Sequence, residues 1–143
     1  MARPERVRLG ELLIQQKLIS QDQLRHALGQ QKTNGLRLGR VLVDNGFVTE
    51  EDISGTLAMQ LGIPYINLNG YKIDLDLVRL LPESHARRLS AIVLEERNDY
   101  LLIGMADPTD LSAADFISLI VKRVVEVAAV TEGQLLECMD HSY

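Results

Sequence analysis

Arg8-Leu9-Gly10 and Arg37-Leu38-Gly39 are the residues of this chain best suited to hold an anion. An arginine presents a planar fork of donors that grips a phosphate or stacks on a base. A neighbouring glycine leaves the backbone open to close approach. Free amides at the start of a helix attract negative charge. Gln31 and Gln60 stand at the same distance downstream of the two tripeptides. Each can hydrogen-bond a base or a phosphate over an apolar floor, made of Leu24 and Leu28 in the first case and Ile53 and Leu57 in the second. A plainer reading exists for every one of these residues: surface Arg, core Leu, helix-starting Gly, exposed Gln at a helix end. One copy alone would be read that way. Two copies in register count against it.

The two copies are a tandem repeat with an offset of 29 residues. At that offset Leu13 meets Leu42, Ile14 meets Val43, Leu18 meets Phe47 and Ile19 meets Val48. Leu28 meets Leu57 and Gln31 meets Gln60. The units span 8–31 and 37–60, joined by Lys32–Leu36, which holds the turn signal Asn34-Gly35. Each unit must supply two helices. The first is predicted to begin near Leu9 or Leu38, and to stop at Lys17 or at Asn45-Gly46. Ser20 and Thr49 are N-cap residues for the next helix, and Gln23 has capping-box spacing from Ser20. Leu24, Ala27, Leu28 and Gln31 share one face of that helix, as do Ile53, Thr56, Leu57 and Gln60.

The second half alternates strands and helices. Tyr65–Leu68 reads as a short strand, Val78–Leu81 and Pro82–Arg88 as short helices, with Pro82 at a first helical position. Ala91–Glu95 and Tyr100–Met105 read as a hairpin. Asp110–Lys122 reads as a helix, Val124–Val130 as a strand and Thr131–Cys138 as a last helix. The expected fold is therefore α+β. A four-short-helix tandem-repeat subdomain (1–62) precedes a small α/β subdomain with a mixed sheet (63–143).

Composition narrows the function. The chain has 143 residues, 46% hydrophobic and 24% charged, with one Cys and a net charge of −5. Long disorder, a disulfide framework and a Cys-based zinc site are excluded. No apolar run is long enough to span a bilayer, and no signal peptide is visible, so a cytoplasmic home is expected. Residues 1–40 hold eight basic and three acidic groups, a net of +5, whereas the rest carries −10. A basic head on an acidic body suits a local anion site better than general nucleic-acid binding. His26, His85 and His141 lack metal-ligand spacing, so no metal is expected. There is no Gly-x-x-x-x-Gly-Lys-Ser/Thr loop and no Ser or Cys nucleophile motif, so the chain reads as non-enzymatic. Cys138 reads as a small buried hydrophobe.

The doubled pattern R-L-G-x-x-L-hydrophobic, a turn position, then L-x-x-x-L-x-x-Q resembles the MshE N-terminal domain family. Those are cyclic di-GMP-binding domains of type IV pilus and type II secretion assembly ATPases. Leu-Leu-Pro-Glu-Ser-His-Ala-Arg-Arg (80–88) and Met-Ala-Asp-Pro-Thr-Asp (105–110) extend the resemblance into the second half. It implies that each unit holds half of one cyclic di-GMP. Arg8, Gly10, Gln31, Arg37, Gly39 and Gln60 become the polar and backbone contacts. Leu9, Leu24, Leu28, Leu38, Ile53 and Leu57 become the apolar ones. Arg6 and Asp107 are further candidates, although Asp107 also suits a plain turn before the next helix. Lys17 stands where the family has Gly, so an altered turn is expected there. The resemblance also implies a parent chain with a C-terminal ATPase domain, pilus or secretion platform proteins as partners, and a place peripheral to the inner membrane through them. Two other functions fit the helices: a helix-turn-helix nucleic-acid binder, weakened by the few basic residues on the second helices, and a ligand-free protein-docking domain.

Overall fold

The computed structural model describes residues 4–143, with side chains from Leu9 onward. The chain divides into two compact units, Met1–Leu57 and Ala58–Tyr143. Unit one is built on four helices: α1 (Pro4–Gln15), α2 (Gln21–Asn34), α3 (Leu38–Asp44) and α4 (Glu50–Leu61), the last of which runs past the division. The paired helices of the repeat are as expected, but α1 begins at Pro4, five residues before Leu9. Pro4 has the fixed φ and missing N–H that suit a helix start. The self-comparison placed the start too late because identity between the copies begins only at Arg8.

Caps punctuate both copies alike. Ser20 Oγ accepts the Gln23 amide at 3.1 Å while Gln23 Oε1 accepts the Ser20 amide at 2.8 Å. Thr49 Oγ1 accepts the Asp52 amide at 3.1 Å and Asp52 Oδ2 accepts the Thr49 amide at 3.0 Å. Gly35 ends α2 with φ +70°. The core holds matched pairs from the two copies: Leu13 with Leu42, and Ile19 with Val48, joined by Ala27 and Val41. Thr56, the partner of Ala27 in the repeat, is buried, and its hydroxyl donates to the Asp52 carbonyl at 2.8 Å.

The turn at Lys17 is not altered. Lys17 adopts φ +62° and Gly46 φ +75°. The Lys17 amide donates to Ile14 O and the Leu18 amide to Leu13 O, both at 2.9 Å. Gly46 and Phe47 make the same two bonds to Val43 O and Leu42 O. The lysine therefore bears a left-handed backbone that disfavours a Cβ by about 1–2 kcal/mol. Lys17→Gly is expected to stabilise the chain by about 0.5–1 kcal/mol, after the extra chain entropy glycine loses on folding. Its melting temperature should rise by about 2 °C. A fall in a thermal melt would show that the Lys17 side chain contributes more than its backbone costs.

Unit two begins at the end of α4 and contains α5 (Leu75–Val78), α6 (Glu83–Leu89), β1 (Ala91–Glu96), β2 (Leu101–Met105), α7 (Leu111–Val121), β3 (Val125–Ala129) and α8 (Glu132–Ser142). Its sheet has the order β1-β2-β3. β1 runs antiparallel to β2, with Ala91 opposite Met105, and a bulge lies between Val93 and Glu95. β2 runs parallel to β3, with Leu101 opposite Val125. Parallel neighbours need a crossover, which α7 supplies. β2 is buried along its whole length, as a central strand must be. The mixed sheet, the hairpin and the α+β class agree with expectation.

Three local expectations fail. Tyr65–Leu68 is not a strand. It makes one bridge, Tyr65 to Ala129, in which the Ala129 amide donates to Pro64 O at 2.8 Å and the Ile66 amide to Ala129 O at 2.9 Å. The Leu68 amide then turns to Gln134 Oε1, which ends any ladder. The helix read at Val78–Leu81 sits earlier, because Asp74 caps it through the Asp76 amide at 2.9 Å. Pro82 is the N-cap of α6 rather than its first helical residue. The C-terminal Tyr143 is tied back to the α5–α6 turn, its hydroxyl 2.7 Å from Leu81 O and 3.1 Å from Val78 O. Burial pushes its phenol up to about 12.

Candidate functional site

Both copies contain the same helix crossing. A Cβ placed on Gly10 would lie 2.7 Å from Leu24 Cδ1 and 3.0 Å from Leu24 Cδ2. On Gly39 it would lie 3.2 Å from Ile53 Cδ1. Each glycine thus lets the second helix of its copy close on the first. The sequence reading gave these glycines to an approaching ligand, but the direction a side chain would take is filled by Leu24 and Ile53. Across the copies, Leu9 Cδ2 lies 3.9 Å from the same Gly39 Cβ position. Leu9, Leu24, Leu38 and Ile53 all pack on the unit-one core and are only partly buried, so part of each surface remains accessible.

The amide argument holds for one copy. The Val41 amide makes a 3.1 Å bond to Arg37 O, so the amides of Leu38, Gly39 and Arg40 precede the first bond inside α3. Arg37 is the N-cap, and its side chain makes no capping bond. Arg8-Leu9-Gly10 lies inside α1, where backbone amides donate along the helix, because that helix begins four residues before Arg8. The side chains of Arg6 and Arg8 lie outside the described residues.

Farther along the second helices, Leu28 on α2 is 41% exposed, an apolar surface without cover from the core. Gln31 is half-buried on the same helix; Leu57 is half-buried and Gln60 exposed on α4. Gln60 belongs to the second compact unit, three residues past the division. Asp107 makes a turn: its Oδ1 accepts the Thr109 hydroxyl at 2.5 Å and the Thr109 amide at 3.2 Å. The residue that caps α7 is Asp110, through the Ala113 amide at 3.0 Å.

Some of the basic charge of the head is spent locally. Arg40 lies 3.6 Å from both Asp44 and Glu50, and Arg25 lies 3.3 Å from Asp22. These pairs are exposed or half-exposed and contribute about 0–1 kcal/mol each. Sequence reasoning missed Arg40, and it missed a 2.5 Å hydrogen bond from Asn45 Nδ2 to Gln30 Oε1. At the 29-residue offset Arg40, Asn45 and Gln30 meet Glu11, Gln16 and Met59, so self-comparison by identity passes over them. Cys138 is half-buried, and desolvation, then the Glu137 charge, push its thiol up, away from reactivity. Among the described residues, no three His, Cys, Asp or Glu side chains gather as a metal site, and no helix is long and apolar enough to cross a membrane.

Comparison with known proteins identifies the fold's relatives. The MshEN domain model matches residues 61–143. The solved structure of MshE with cyclic di-GMP superposes with a TM-score of 0.83 at 41% identity, over 95% of this chain and 99% of that one. The N-terminal domain of XpsE superposes at 0.78 over 100% of this chain and 99% of that one, but at 21% identity, which speaks to fold alone. The type IV pilus assembly ATPase PilB of Myxococcus xanthus is 32% identical over 95% of this chain and 24% of its own length. Bacteriophage adsorption protein B of Escherichia coli K12 is 29% identical over 94% of this chain and 18% of its own. The chain therefore spans a quarter or less of these curated relatives. The family model falls on the second half, whereas the doubled motif lies ahead of it; the likeness to MshE covers both. With more than half its residues matched by that model, and with 41% identity across nearly all of the solved MshE chain, this chain belongs to the MshEN domain family.

Proposed function

We propose that this chain is a regulatory receptor for cyclic di-GMP, with one dinucleotide held by the motifs at 8–31 and 37–60. The observation that carries the reading is the duplicated crossing, Gly10 under Leu24 and Gly39 under Ile53, in a chain 41% identical to an MshE solved with that ligand. A ligand made of two equal halves suits a protein unit made twice. Arg8 and Arg37 grip phosphates, Gln31 and Gln60 meet guanine edges or phosphates, and Leu9, Leu24, Leu28, Leu38, Ile53 and Leu57 supply apolar surface. Arg6 and Asp107 are secondary candidates, and the Asp107 turn leaves that residue the weaker of the two.

The chain is the N-terminal portion of a longer pilus-extension or secretion ATPase. It acts in the cytoplasm, and the catalysis and platform partners belong to the rest of the parent. Binding biases how the module packs on that remainder. The parent's identity is a separate question from the ligand, since one relative is a phage adsorption protein.

Calorimetric titration of the 143-residue chain with cyclic di-GMP tests the ligand, with GTP and a DNA duplex as controls at physiological salt. Saturable heat with the cyclic dinucleotide alone is expected. Absence of that heat rejects the receptor. Duplex binding that weakens steeply with salt would instead support the nucleic-acid reading. A ligand-free docking domain is the second reading, favoured by Leu111 and Leu119 on α7, which are 72% and 75% exposed.

A further inference from the structure

β3 is an outer strand of the sheet, and its two sides are unlike. In a parallel ladder, alternate residues bond the neighbouring strand, and the residues between them point their N–H and C=O the other way. Leu101 N donates to Val124 O at 2.9 Å and Val130 N to Met105 O at 3.2 Å, so Val124, Glu126 and Ala128 serve β2. Val125, Val127 and Ala129 face outward. Ala129 is covered by the bridge at residues 64–66. Before Pro64 the backbone belongs to the end of α4, where the Ile63 amide donates to Ala58 O at 3.0 Å rather than to β3. Among the described residues, the outward N–H and C=O of Val125 and Val127 therefore make no hydrogen bond.

Unpaired strand edges bind other strands, and proteins blunt them with Pro, Lys or bulges. This edge has no Pro and no Lys between 124 and 129, and its ladder with β2 runs without a register shift. Its start is held in place, because the Arg123 guanidinium bonds Glu96 and, at 3.1 Å, Arg97 O. Val124, 63% exposed, and Glu126, also exposed, stand on the same face of the strand. The charge selects the occupant. A second copy, paired antiparallel through Val125 and Val127 of both chains, would set Glu126 directly opposite Glu126, a repulsive pair. A basic residue in that place is attracted. We infer that the open edge of β3 is a docking site for an extended segment of another protein, with Lys or Arg beside Glu126 and an apolar residue beside Val124. Such strand addition takes its affinity from main-chain bonds and its specificity from alternate side chains. It is independent of the cyclic di-GMP reading.

The probe is the capped peptide Ile-Val-Lys-Val-Thr, with Ile-Val-Glu-Val-Thr as its charge-reversed control, added to the isotope-labelled 143-residue chain. Amide hydrogen exchange, followed by NMR, is the readout. Without peptide, the Val125 and Val127 amides should exchange about ten-fold faster than those of Glu126 and Ala128, which are held by β2. The lysine peptide at millimolar concentration should slow the Val125 and Val127 amides. Glu126→Lys should weaken the lysine peptide by about five-fold and let the glutamate peptide bind in its place. Val127→Pro removes an outward N–H but no bond to β2, and it should abolish the protection of Val125. If that variant unfolds, the Glu126→Lys exchange decides alone. Equal binding of both peptides by the unaltered chain, no protection by the lysine peptide, or Val125 and Val127 amides already slow without it, overturns the inference. So does dimerisation in sedimentation that protects those amides without peptide, because a second copy is then the occupant.

Discussion

For the receptor proposed above, Arg37→Ala is expected to lower the affinity for cyclic di-GMP by at least ten-fold, and Arg8→Ala to do the same. A charged hydrogen bond to an anion contributes about 1.5–3 kcal/mol, which corresponds to about 10- to 150-fold in binding. The effect should appear as affinity and not as unfolding. Arg37 makes no capping bond to α3, so its truncation removes no cap from that helix. The melting temperature of the variant should stay within about 2 °C of the unaltered chain. Arg37→Lys separates charge from geometry. Lysine keeps the charge but not the planar fork, and it should recover only part of the loss. Calorimetry on the four chains decides the matter. Affinities of both alanine variants within three-fold of the unaltered chain would remove the arginines from the site.

The second large effect concerns the fold. Gly10→Val should destabilise by about 2 kcal/mol, and Gly39→Val by about half as much. The difference comes from what each new Cβ meets. At Gly10 it meets the whole branched end of Leu24, with Cδ1 at 2.7 Å, Cδ2 at 3.0 Å and Cγ at 3.4 Å. Leu24 must leave its rotamer or α2 must move. At Gly39 it meets one terminal methyl of Ile53 at 3.2 Å, which gives way by a small torsion. Replacing glycine within a helix returns a few tenths of a kcal/mol in propensity, too little to reverse either sign. Chemical denaturation followed by circular dichroism measures both. Equal stabilities, or Gly39→Val as the weaker protein, would mean that the two crossings are not the contacts that set helix spacing. Binding adds a second readout. Gly39→Val, whose fold is mostly kept, should still lose affinity through the displaced Ile53.

Residue pattern made the paired helices, their caps and the hairpin legible, because each rests on local chemistry. Ser20 with Gln23 is a capping box in sequence and in space. The strand read at Tyr65–Leu68 failed for the opposite reason. Its apolar alternation is genuine, but the Gln134 side chain, 66 positions away, takes the Leu68 amide out of any ladder. The candidate site was legible where the two copies agree. It was opaque where they differ, at Gln30 and Asn45, and where a helix began before the copies did, at Pro4. The direction in which Gly10 and Gly39 point could not be read from spacing at all. It follows from how closely two helices cross, which only packing decides.

Lys17 and Gly10 show that the glycines of a repeated pattern are unequal in what they tolerate. The turn after α1 survives with lysine because its shape is written in two backbone hydrogen bonds, and a strained residue can occupy it at modest cost. The crossing at Gly10 is written in a distance: a Cβ there would lie 2.7 Å from a leucine methyl, so Leu24 must shift before any side chain fits. Mutational drift is thus free to erase the turn glycine from one copy and still leave the ancestral geometry in place. In a diverged relative, the loss of a turn glycine is weak evidence against a half-site. The loss of a crossing glycine is strong evidence.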